Sequence, residues 1–299
     1  MSTDKFRPRL RIARTLWAGL FPLYWMEALK LVPPAFEIVD VAEYDQTLDL
    51  LATGETDGNF QSLADLLLMV GRGVDLRLLM ASDLSVGVDG VVCRPEIDTI
   101  QALAGKRLGL SLLSYPHVLI QQVLAMHGMT EEDVVLVDLR GERVPEALQR
   151  GEIDAGHTWG NHIDQACTQG ASLLFSSSLF PGLLVDCLVA PPATVARAPD
   201  SWVAFIHAHE RALAWGQANP EAGYTIVAER TGLTVDAVRA MLTGFTLYST
   251  ESARPLFARD ATQPPALFAS GHLLGRFYQE KGLLQRAPAL DTIINPLVV

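Results

Sequence analysis

The chain has 299 residues, 49% of them hydrophobic, and 34 acidic against 23 basic residues give it a net charge of −11. This length is enough to bury two ordinary cores, so we expect two globular domains. The acidic balance, with no lysine- or arginine-rich run, argues against a nucleic-acid partner, because proteins that bind a phosphate backbone concentrate positive charge on one face.

Cysteine spacing and the length of apolar runs exclude further classes. Cys93, Cys167 and Cys187 are odd in number and have no CxxC or Cys/His ligand spacing, so we predict neither a disulfide framework nor a zinc site. The apolar stretch at residues 16–26 is interrupted by glycine and proline and is shorter than the ~20 residues of a membrane helix. We therefore predict no transmembrane segment.

The first residues, MSTDKFRPR, have neither the apolar core nor the small-residue cleavage site of a signal peptide. If Met1 is the native start, this predicts a cytoplasmic protein. If the chain is a mature form, we expect it in the periplasm.

In chain order, segments of strand and helix character alternate. They predict strands at 9–16, 36–41, 56–60 and 74–80, with helices at 22–31, 45–52 and 63–70 between them. Residues 107–175 repeat this order, with strands at 107–111, 134–137, 153–157 and 172–175 and helices at 116–127, 144–150 and 161–168. Such alternation indicates mostly parallel sheets covered on both faces, which is an α/β fold.

The two sets of elements share a sequence repeat. Residues 50–58, LLATGETDG, match residues 147–155, ALQRGEIDA, 97 positions later. Gly73 and Gly170 match at the same offset. We therefore predict two similar α/β units, in which the repeated Asp57 and Asp154 have a structural role in the helix-to-strand turn.

Two apolar, extended segments, residues 88–94 and 183–190, follow the two sets of elements and are predicted to be crossover strands. They divide the chain into one discontinuous domain, residues 1–87 plus 186–299, and a second domain, residues 88–185. The last hundred residues are helical in pattern, with helices predicted at 199–216, 220–229, 235–242 and 266–280 and an irregular segment before the last one. All of them are assigned to the first domain.

Several short motifs resemble one known family. They are the turn from Ile97 to Gly109 with its Leu-x-Gly-Lys-Arg-Leu-Gly, the helix start at 114–117, the turn GMTEEDV at 128–134 and the helix end GEIDA at 151–155. This pattern resembles the solute-binding proteins of nitrate, sulfonate, taurine and pyrimidine-precursor ABC transporters, a family that also contains thiamine-pyrimidine synthases. The resemblance implies a two-lobed, periplasmic-binding-protein-like (type II) fold, with two similar α/β lobes, two crossover strands and extra C-terminal helices.

Ligand-facing loops of such units lie at the carboxyl ends of their strands, so we expect the site in a cleft between two facing units. The predicted contacts lie just past strand ends or near the crossover strands, and the resemblance adds Tyr248 from the C-terminal region. They are Trp17, Asn59, Gln61, Ser82, Asp83, Ser111, Ser114, Tyr115, His117, His157, Trp159, Asp186 and Tyr248.

The chemistry of these side chains leaves structural alternatives open. Trp17 and Trp159 can sandwich a flat or cationic group, or each can seal its loop against a helix. The serines and amides suit a polar ligand, or they can cap helices. His157 and His162 have an i, i+5 spacing that does not suit a metal, so none is predicted.

The charged residues predicted near the cleft restrict the class of ligand. Asp83, Asp89 and Asp186 are predicted near the cleft, where Arg14 is the only loop arginine. A desolvated sulfonate or nitrate needs compensating positive charge or many N–H donors. We therefore hypothesise a neutral heteroaromatic or a cationic ligand.

We expect a non-enzymatic solute-binding protein, the binding component of an ABC transporter, that closes two lobes over a small polar or heteroaromatic solute. Its expected partners are that solute, a permease and an ATPase, and we predict a monomer without cofactor or catalytic residues. Two alternatives stay open. One is a thiamine-pyrimidine synthase-like enzyme, which the scattered cysteines disfavour, and the other is a cytoplasmic ligand-sensing module on the same fold.

Overall fold

The computed structural model describes residues 9–180, 182–258, 267–286 and 289–297. The first eight residues, on which the signal-peptide prediction rests, lie outside the described residues, as does residue 266, the predicted start of the last helix. None of the described helices is long and apolar enough to cross a membrane.

Contacts divide the described residues into two compact units. The first comprises those within Met1–Leu84, Val185–Asp260 and Arg286–Val299, and the second those within Ser85–Leu184 and Ala261–Gln285. Each unit contains one β-sheet with helices packed on it. The strands of the described residues are, in chain order, β1 (Leu10–Arg14), β2 (Phe36–Asp40), β3 (Gly58–Ser62), β4 (Arg77–Ser85), β5 (Asp89–Cys93), β6 (Arg107–Leu110), β7 (Val135–Asp138), β8 (Ala155–Trp159), β9 (Ser172–Ser176), β10 (Val185–Ala190) and β11 (Phe245–Leu247).

Helices follow most strands, as the alternating pattern predicts. The glycines that end two equivalent helices, Gly54 and Gly151, have φ of +71° and +70°, a left-handed conformation that glycine adopts without steric cost. The helices of the described residues are α1 (Phe21–Ala28), α2 (Tyr44–Ala52), α3 (Leu63–Gly71), α4 (Tyr115–Met126), α5 (Val144–Arg150), α6 (Gly160–Thr168), α7 (Pro192–Arg197), α8 (Pro199–Ala218), α9 (Pro220–Thr231), α10 (Val235–Met241), α11 (Thr250–Ala253), α12 (Leu267–Glu280) and α13 (Leu290–Ile293).

The two sheets share one strand order over five strands, and the first sheet has β11 as an additional edge strand. In the first unit the order is β11-β4-β10-β3-β1-β2, and the second sheet, read in the matching direction, is β9-β5-β8-β6-β7. β1 is parallel to β2 and β3, as β6 is to β7 and β8, whereas β10 and β5 are antiparallel to their neighbours. The predicted α/β class and its duplication are therefore confirmed. Both sheets are mixed, because β5 and β10 each follow a strand of the other unit and not a crossover helix of their own.

The repeated aspartates have the same contact in both units. Asp57 Oδ2 accepts a hydrogen bond from the backbone N–H of Arg11 at 2.9 Å, and Asp154 Oδ2 accepts one from Arg107 at 3.0 Å. The side chain of Arg107 also binds Asp154 and lowers the pKa of that carboxyl to about 2. The predicted structural role is confirmed, since Asp57 ties a helix-to-strand turn to β1 and Asp154 ties the equivalent turn to β6.

Aromatic side chains form much of the core of the first unit. Trp202 and Phe205 of α8 pack against Phe36 of β2, with ring centroids 5.1 and 4.6 Å apart. Trp25 of α1 donates its indole N–H to the carbonyl of Gly223 in α9 at 3.0 Å. These contacts pack α8 on β2 and α1 on α9, and the apolar stripe of α8 predicts that it packs in the core.

The C-terminal region differs from the prediction in two respects. Helix α12 belongs to the second unit, although all residues after about 186 were assigned to the first domain. Phe277 of α12 packs edge-on against His117 of α4, with centroids 5.0 Å apart, and Ser270 donates to the carbonyl of Gly182 at 2.8 Å. The short strand β11 lies in the segment predicted to be irregular, where neighbouring β4 supplies its hydrogen-bond partners.

Candidate functional site

The carboxyl ends of β1, β3 and β4 meet the amino end of β10 at one edge of the first sheet. Asp186 of β10 lies in register with Ser62 of β3 and with Asp83 of β4. Because side chains in register on neighbouring strands share a face, Ser62, Asp186 and Asp83 form a row across three strands. Two carboxylates therefore lie directly opposite each other, an arrangement that destabilises a sheet when both are charged.

Asp83 is buried within this row. It is 1% exposed, its Oδ2 accepts a hydrogen bond from Ser82 Oγ at 2.8 Å, and a Cβ added to Gly19 would lie 2.2 Å from Oδ2. Burial raises the pKa of Asp83 to about 7, against a smaller lowering by hydrogen bonds from Ser82 and Trp17. The carboxyl therefore changes its charge near neutral pH.

Trp17 links this edge to β11. Its indole Nε1 donates to Asp186 Oδ2 at 3.0 Å, and its ring packs edge-on against Phe245, with centroids 5.0 Å apart. The indole N–H is thus already bound to a carboxylate, while the half-buried ring can still offer a face to a solute.

Tyr248 is the C-terminal residue at this edge. Its backbone N–H donates to the carbonyl of Ser82 at 2.8 Å. Burial, and then the charge of Asp83, raise the pKa of the Tyr248 hydroxyl. We call the residues that the structure brings together here the first strand-end cluster: Trp17, Ser82, Asp83, Asp186 and Tyr248.

Asn59 and Gln61 lie on the opposite face of β3 from Ser62, because side chains alternate along a strand. They are 0% and 1% exposed. Asn59 donates its amide to the carbonyl of Thr47 in α2 at 3.1 Å, whereas neither amide atom of Gln61 has a hydrogen-bond partner within the described residues. The structure therefore places both apart from the first strand-end cluster.

Sequence reasoning missed Tyr44 and Asp65 beside this edge. The Tyr44 hydroxyl accepts from the backbone N–H of Ser62 at 3.1 Å and donates to Asp65 Oδ2 at 2.7 Å. Ser62 Oγ caps α3 by accepting the N–H of Asp65 at 3.1 Å. The Ser-x-x-Asp spacing at 62–65 is a helix-start pattern and was the available signal for this contact.

The charge of Arg14 is paired with acidic side chains inside the first unit. Its fully buried guanidinium pairs with Glu27 and Asp40, each at 2.7 Å, and lies 3.8 Å from the centroid of the Tyr24 ring. Two carboxylates and an aromatic face thus satisfy this cation. Its charge is therefore already paired with acids of the first unit.

The equivalent edge of the second sheet carries a second group. Asp89, at the amino end of β5, lies in register with Trp159 at the carboxyl end of β8. Asp89 Oδ1 lies 2.9 Å from His157 Nε2, and both residues are 3% exposed. Tyr115, the first residue of α4, packs edge-on against His157, with centroids 6.3 Å apart. We call Asp89, Tyr115, His157 and Trp159 the second strand-end cluster.

The two clusters occupy matching positions in the duplicated fold. β5 and β10 have the same place in the two strand orders, and each begins with a carboxylate close to its amino end, Asp89 or Asp186. A tryptophan accompanies each carboxylate, Trp159 by strand register and Trp17 by a hydrogen bond. Each unit therefore presents an acid beside an indole.

Ser111, Ser114 and His117 have mostly internal roles. Ser114 Oγ donates to the carbonyl of Ser111 at 2.7 Å and does not cap α4. Leu113, at φ +62°, donates its N–H to His117 Nδ1 at 3.1 Å, and His117 Nε2 lies 3.1 Å from Glu131 Oε1. Burial lowers the pKa of His117. These bonds connect the loop before α4 to itself and to its own surroundings. The structure therefore does not join the three residues to the second strand-end cluster.

Thiol and metal-ligand chemistry is limited in the described residues. Cys93 and Cys187 are fully buried, and burial raises the pKa of Cys93 to about 11 and that of Cys187 well above its ordinary range. Within the same residues, no group of three or more His, Cys, Asp or Glu side chains is arranged to hold a metal ion. Both buried thiols stay protonated at neutral pH, a state that disfavours nucleophilic attack.

The close packing of Gly19 on Asp83 is testable. Gly19→Ala is expected to destabilise the protein by about 1–3 kcal/mol, because its Cβ would overlap the carboxyl group. In an Asp83→Ala background the same change should cost less, since the overlapping atoms are gone. Urea unfolding of the four proteins measures both costs. An equal cost in the two backgrounds contradicts this contact.

Comparison with solved structures shows the fold. The chain is similar to the periplasmic aliphatic sulphonate binding protein SsuA from Escherichia coli, with a TM-score of 0.76, 16% identity and coverage of 98% of this chain and 94% of that one. It is similar to the alkanesulfonate-binding protein SsuA from Xanthomonas axonopodis pv. citri bound to MOPS, with a TM-score of 0.74, 16% identity and coverage of 97% and 99%. The desulfurization enzyme DSZB is also similar, with a TM-score of 0.68, 17% identity and coverage of 97% of each chain.

These likenesses confirm the predicted periplasmic-binding-protein-like fold. A comparison with curated protein sequences finds no match. A family model described as NMT1/THI5 like matches residues 35–223, which is more than half of the chain. The resemblance seen in the sequence motifs is thereby confirmed, and the chain belongs to the NMT1/THI5-like family.

Proposed function

We propose that this protein is the solute-binding component of an ABC importer. The observation that carries the proposal is the matching pair of strand-end clusters, because ligands of open α/β sheets bind at the carboxyl ends of parallel strands. Full-length similarity to two proteins named as sulfonate-binding components supports it. In this role the protein binds one small solute and hands it to a permease driven by an ATPase.

Binding without catalysis is the better-supported role. The fold also serves a desulfurization enzyme, so fold alone does not separate the two roles. A cysteine nucleophile requires a thiolate, and the two buried cysteines lie in different units with raised pKa values. A thiamine-pyrimidine synthase-like activity remains the enzyme alternative, and it predicts chemical turnover of a bound compound.

The charges around the strand ends favour a neutral or cationic solute over a sulfonate. Asp83, Asp186 and Asp89 supply carboxylates there, and Arg14 is already paired with Glu27 and Asp40. A buried anion would meet like charges without a compensating cation, which costs free energy. The specificity proposed for this chain therefore differs from that of the two proteins named for sulfonates.

We propose the periplasm as the compartment, as the Escherichia coli relative is named periplasmic. Osmotic-shock fractionation of the native host measures this, and release with the periplasmic proteins is expected. Retention inside the cells would favour the alternative of a cytoplasmic ligand-sensing module.

A thermal-shift screen tests the proposed function. The panel contains taurine, alkanesulfonates, nitrate, pyrimidines, amines and aromatic acids. A solute at 100 times its Kd stabilises the native state by ~2.7 kcal/mol, so at least one neutral or cationic class should raise Tm by several degrees and be recovered unchanged. If no compound raises Tm, or if the stabilising compound is consumed, the proposal of a non-enzymatic binding protein is wrong.

A further inference from the structure

Leu113, in the loop before α4, has an uncommon backbone conformation. Its φ is +62°, and among the described residues Lys30 is the only other non-glycine residue with positive φ. A non-glycine residue keeps such a conformation when the surrounding contacts hold it. Here the contact is a hydrogen bond that the Leu113 N–H donates to His117 Nδ1 at 3.1 Å. The conformation of the loop at this residue therefore depends on a histidine nitrogen.

The partners of His117 assign its tautomer. A backbone N–H only donates, so Nδ1 accepts the bond from Leu113 and carries no proton. Nε2 lies 3.1 Å from Glu131 Oε1, and a carboxylate only accepts, so the ring proton is on Nε2. A second proton would occupy Nδ1. The imidazolium ring would then have no acceptor for the Leu113 N–H.

Contacts with the end of α12 fix the ring in this orientation. Lys281, directly after α12, binds the second oxygen of Glu131, and its Nζ lies 5.6 Å from the centroid of the Phe277 ring. Phe277 in turn packs edge-on against His117, with centroids 5.0 Å apart. The side chain of His117 is 4% exposed. The ring therefore has little freedom to turn and exchange its two nitrogens.

Glu131 and Lys281 are the charged groups that act on His117. Burial lowers the pKa of His117 from 6.5, Glu131 raises it, Lys281 lowers it again, and the net direction is downward. Helix α4 carries no other charged side chain. The remaining acidic, basic and histidine side chains of the turn at 130–134 and of α12 are exposed, namely Glu132, Asp133, His272, Arg276 and Glu280. His117 is therefore neutral at pH 7 and takes up a proton below pH 6.5.

The loop leads directly into the second strand-end cluster. Tyr115 is the first residue of α4 and packs edge-on against His157, and Asp89, after burial, raises the pKa of its hydroxyl. At the other end of the loop, Leu112 donates its N–H to Asp138 Oδ1 at 3.2 Å. The start of the loop is thus anchored to β7 independently of the histidine. The part of the loop that depends on the histidine is the part next to Tyr115.

We propose that the hydrogen bond between Leu113 and His117 is a pH-sensitive switch of the second strand-end cluster. Neutral His117 holds the loop so that Tyr115 stays in the cluster. Protonation of Nδ1 breaks the bond, lets Leu113 return to negative φ and moves Tyr115 out of the cluster. This inference rests on the proposed function, since it makes solute binding at this cluster weaker in acid. His117 is a positioning residue that acts through the loop, and Glu131 and Lys281 set the pH at which it titrates.

NMR spectra of the solute-free full chain between pH 8 and pH 5 test the switch. Side-chain nitrogen signals report the tautomer of His117, and backbone amide signals report Leu113 and Tyr115. The amide of Val92, which is fully buried in the second unit, reports whether that unit stays folded. At pH 8 the ring proton is expected on Nε2. As pH falls, the Leu113 and Tyr115 signals are expected to shift with the midpoint of the His117 ring, while the Val92 signal stays in place.

Two substitutions separate the hydrogen bond from the packing of the ring. His117→Asn offers its side-chain oxygen to the Leu113 N–H and binds no proton, so the Leu113 and Tyr115 signals should become independent of pH. His117→Phe keeps a ring against Phe277 but has no acceptor. At pH 7 its Leu113 amide should exchange with solvent at least tenfold faster than in wild type, whereas His117→Asn should keep the protection of wild type.

Two further variants test the charges. Lys281→Met should raise the midpoint of the His117 titration, because Lys281 lowers the pKa of His117. His127→Gln changes an exposed histidine directly after α4 and should leave the titration unchanged. If His117→Phe fails to fold, the titrations of wild type, His117→Asn and Lys281→Met decide.

The inference is overturned if the proton of neutral His117 is on Nδ1, or if the Leu113 and Tyr115 signals do not follow the titration of His117. It is also overturned if His117→Asn responds to pH as wild type does, or if Lys281→Met does not raise the midpoint. Each of these results leaves the solute-binding function standing, because no solute is present. Failure of the whole thermal-shift panel would instead remove the proposed function and leave the pH response of the loop.

Discussion

Replacing Asp83 with asparagine is expected to make the protein more stable than wild type in alkaline buffer, with the advantage growing by about 4 kcal/mol between pH 4 and pH 8. The reason is the burial of Asp83 at 1% exposure, which raises its pKa from 3.8 to about 7. Asparagine has nearly the same shape and no charge. It can still accept the hydrogen bond that Ser82 Oγ gives to Asp83.

The direction follows from the two pKa values. Below pH 3.8 the carboxyl is protonated in both the unfolded and the folded state, so the substitution changes no charge. As pH rises toward about 7 the unfolded chain releases the proton while the folded chain retains it, so wild type loses stability progressively. Above about pH 8 the loss is complete, and the variant keeps the full advantage.

Urea unfolding of wild type and Asp83→Asn at pH 4, 6 and 8 measures this prediction. The decisive quantity is the change with pH of the difference in unfolding free energy, which cancels any constant effect of the amide. Asp98→Asn, an exposed aspartate, is the matched control and should show no such change. A pH-independent difference for Asp83→Asn would show that Asp83 is ionised throughout this range.

Replacing His209 with phenylalanine is expected to remove about 3 kcal/mol of acid destabilisation between pH 7 and pH 4. His209 of α8 is 0% exposed and stacks on Phe60 with centroids 5.7 Å apart. Neither ring nitrogen has a hydrogen-bond partner among the described residues. Burial therefore lowers its pKa from 6.5 to about 4, against a weaker opposing effect of Glu210.

For a base with a lowered folded pKa, stability is present above the unfolded value and is lost as pH falls. Between pH 6.5 and about 4, His209 binds a proton in the unfolded state but not in the folded state, so acid favours unfolding. Phenylalanine keeps an aromatic ring against Phe60 and binds no proton. The unfolding free energy of His209→Phe should accordingly vary less with pH in this range.

Equilibrium unfolding of His209→Phe at pH 7 and pH 4.5 tests the second prediction. The control is His272→Gln, because His272 is an exposed histidine. The control should retain the acid sensitivity of wild type. If His209→Phe retains it as well, His209 is not buried in the neutral form.

The repeat was the most informative signal in the sequence, because each repeated position has a local physical cause. Gly54 and Gly151 recur because both end a helix with positive φ, and Asp57 and Asp154 recur because both bind the backbone of equivalent strands, β1 and β6. Local causes of this kind are visible in one sequence. They predicted two similar α/β units, and the two sheets do have matching strand orders.

Contacts between distant segments were less accessible to sequence reasoning. The pairing of Asp83 with Asp186 depends on strand register and on an irregularity in β10, neither of which the hydrophobic pattern specifies. Helix α12 was assigned to the wrong unit for a similar reason, since an amphipathic stripe shows that a helix packs but not on which core. The bond between His157 and Asp89 joins strands 68 residues apart in sequence.

Individual ligand contacts were difficult to predict for two reasons. Side chains alternate between the two faces of a strand, and polar side chains form hydrogen bonds with nearby backbone groups. Asn59 and Ser62 both lie in β3, yet they face opposite sides of the sheet. Ser114 was a candidate ligand or helix cap, and in the structure its hydroxyl binds the carbonyl of Ser111. The sequence can therefore name a polar residue at a strand end as a candidate ligand contact, but only the structure shows whether its hydrogen bonds are already made within the protein.

The five tryptophans of the chain provide the most direct test of the proposed solute-binding role. Indole N–H signals, assigned by Trp→Phe variants, are recorded by NMR while the solute with the largest thermal shift is added. Saturable, one-to-one shifts are expected at Trp17, Trp159 or both, whereas the signals of Trp25 and Trp202, which are 2% and 0% exposed in the core, should not move. Saturation without a shift of the Trp17 or the Trp159 signal would contradict solute binding at the strand-end clusters.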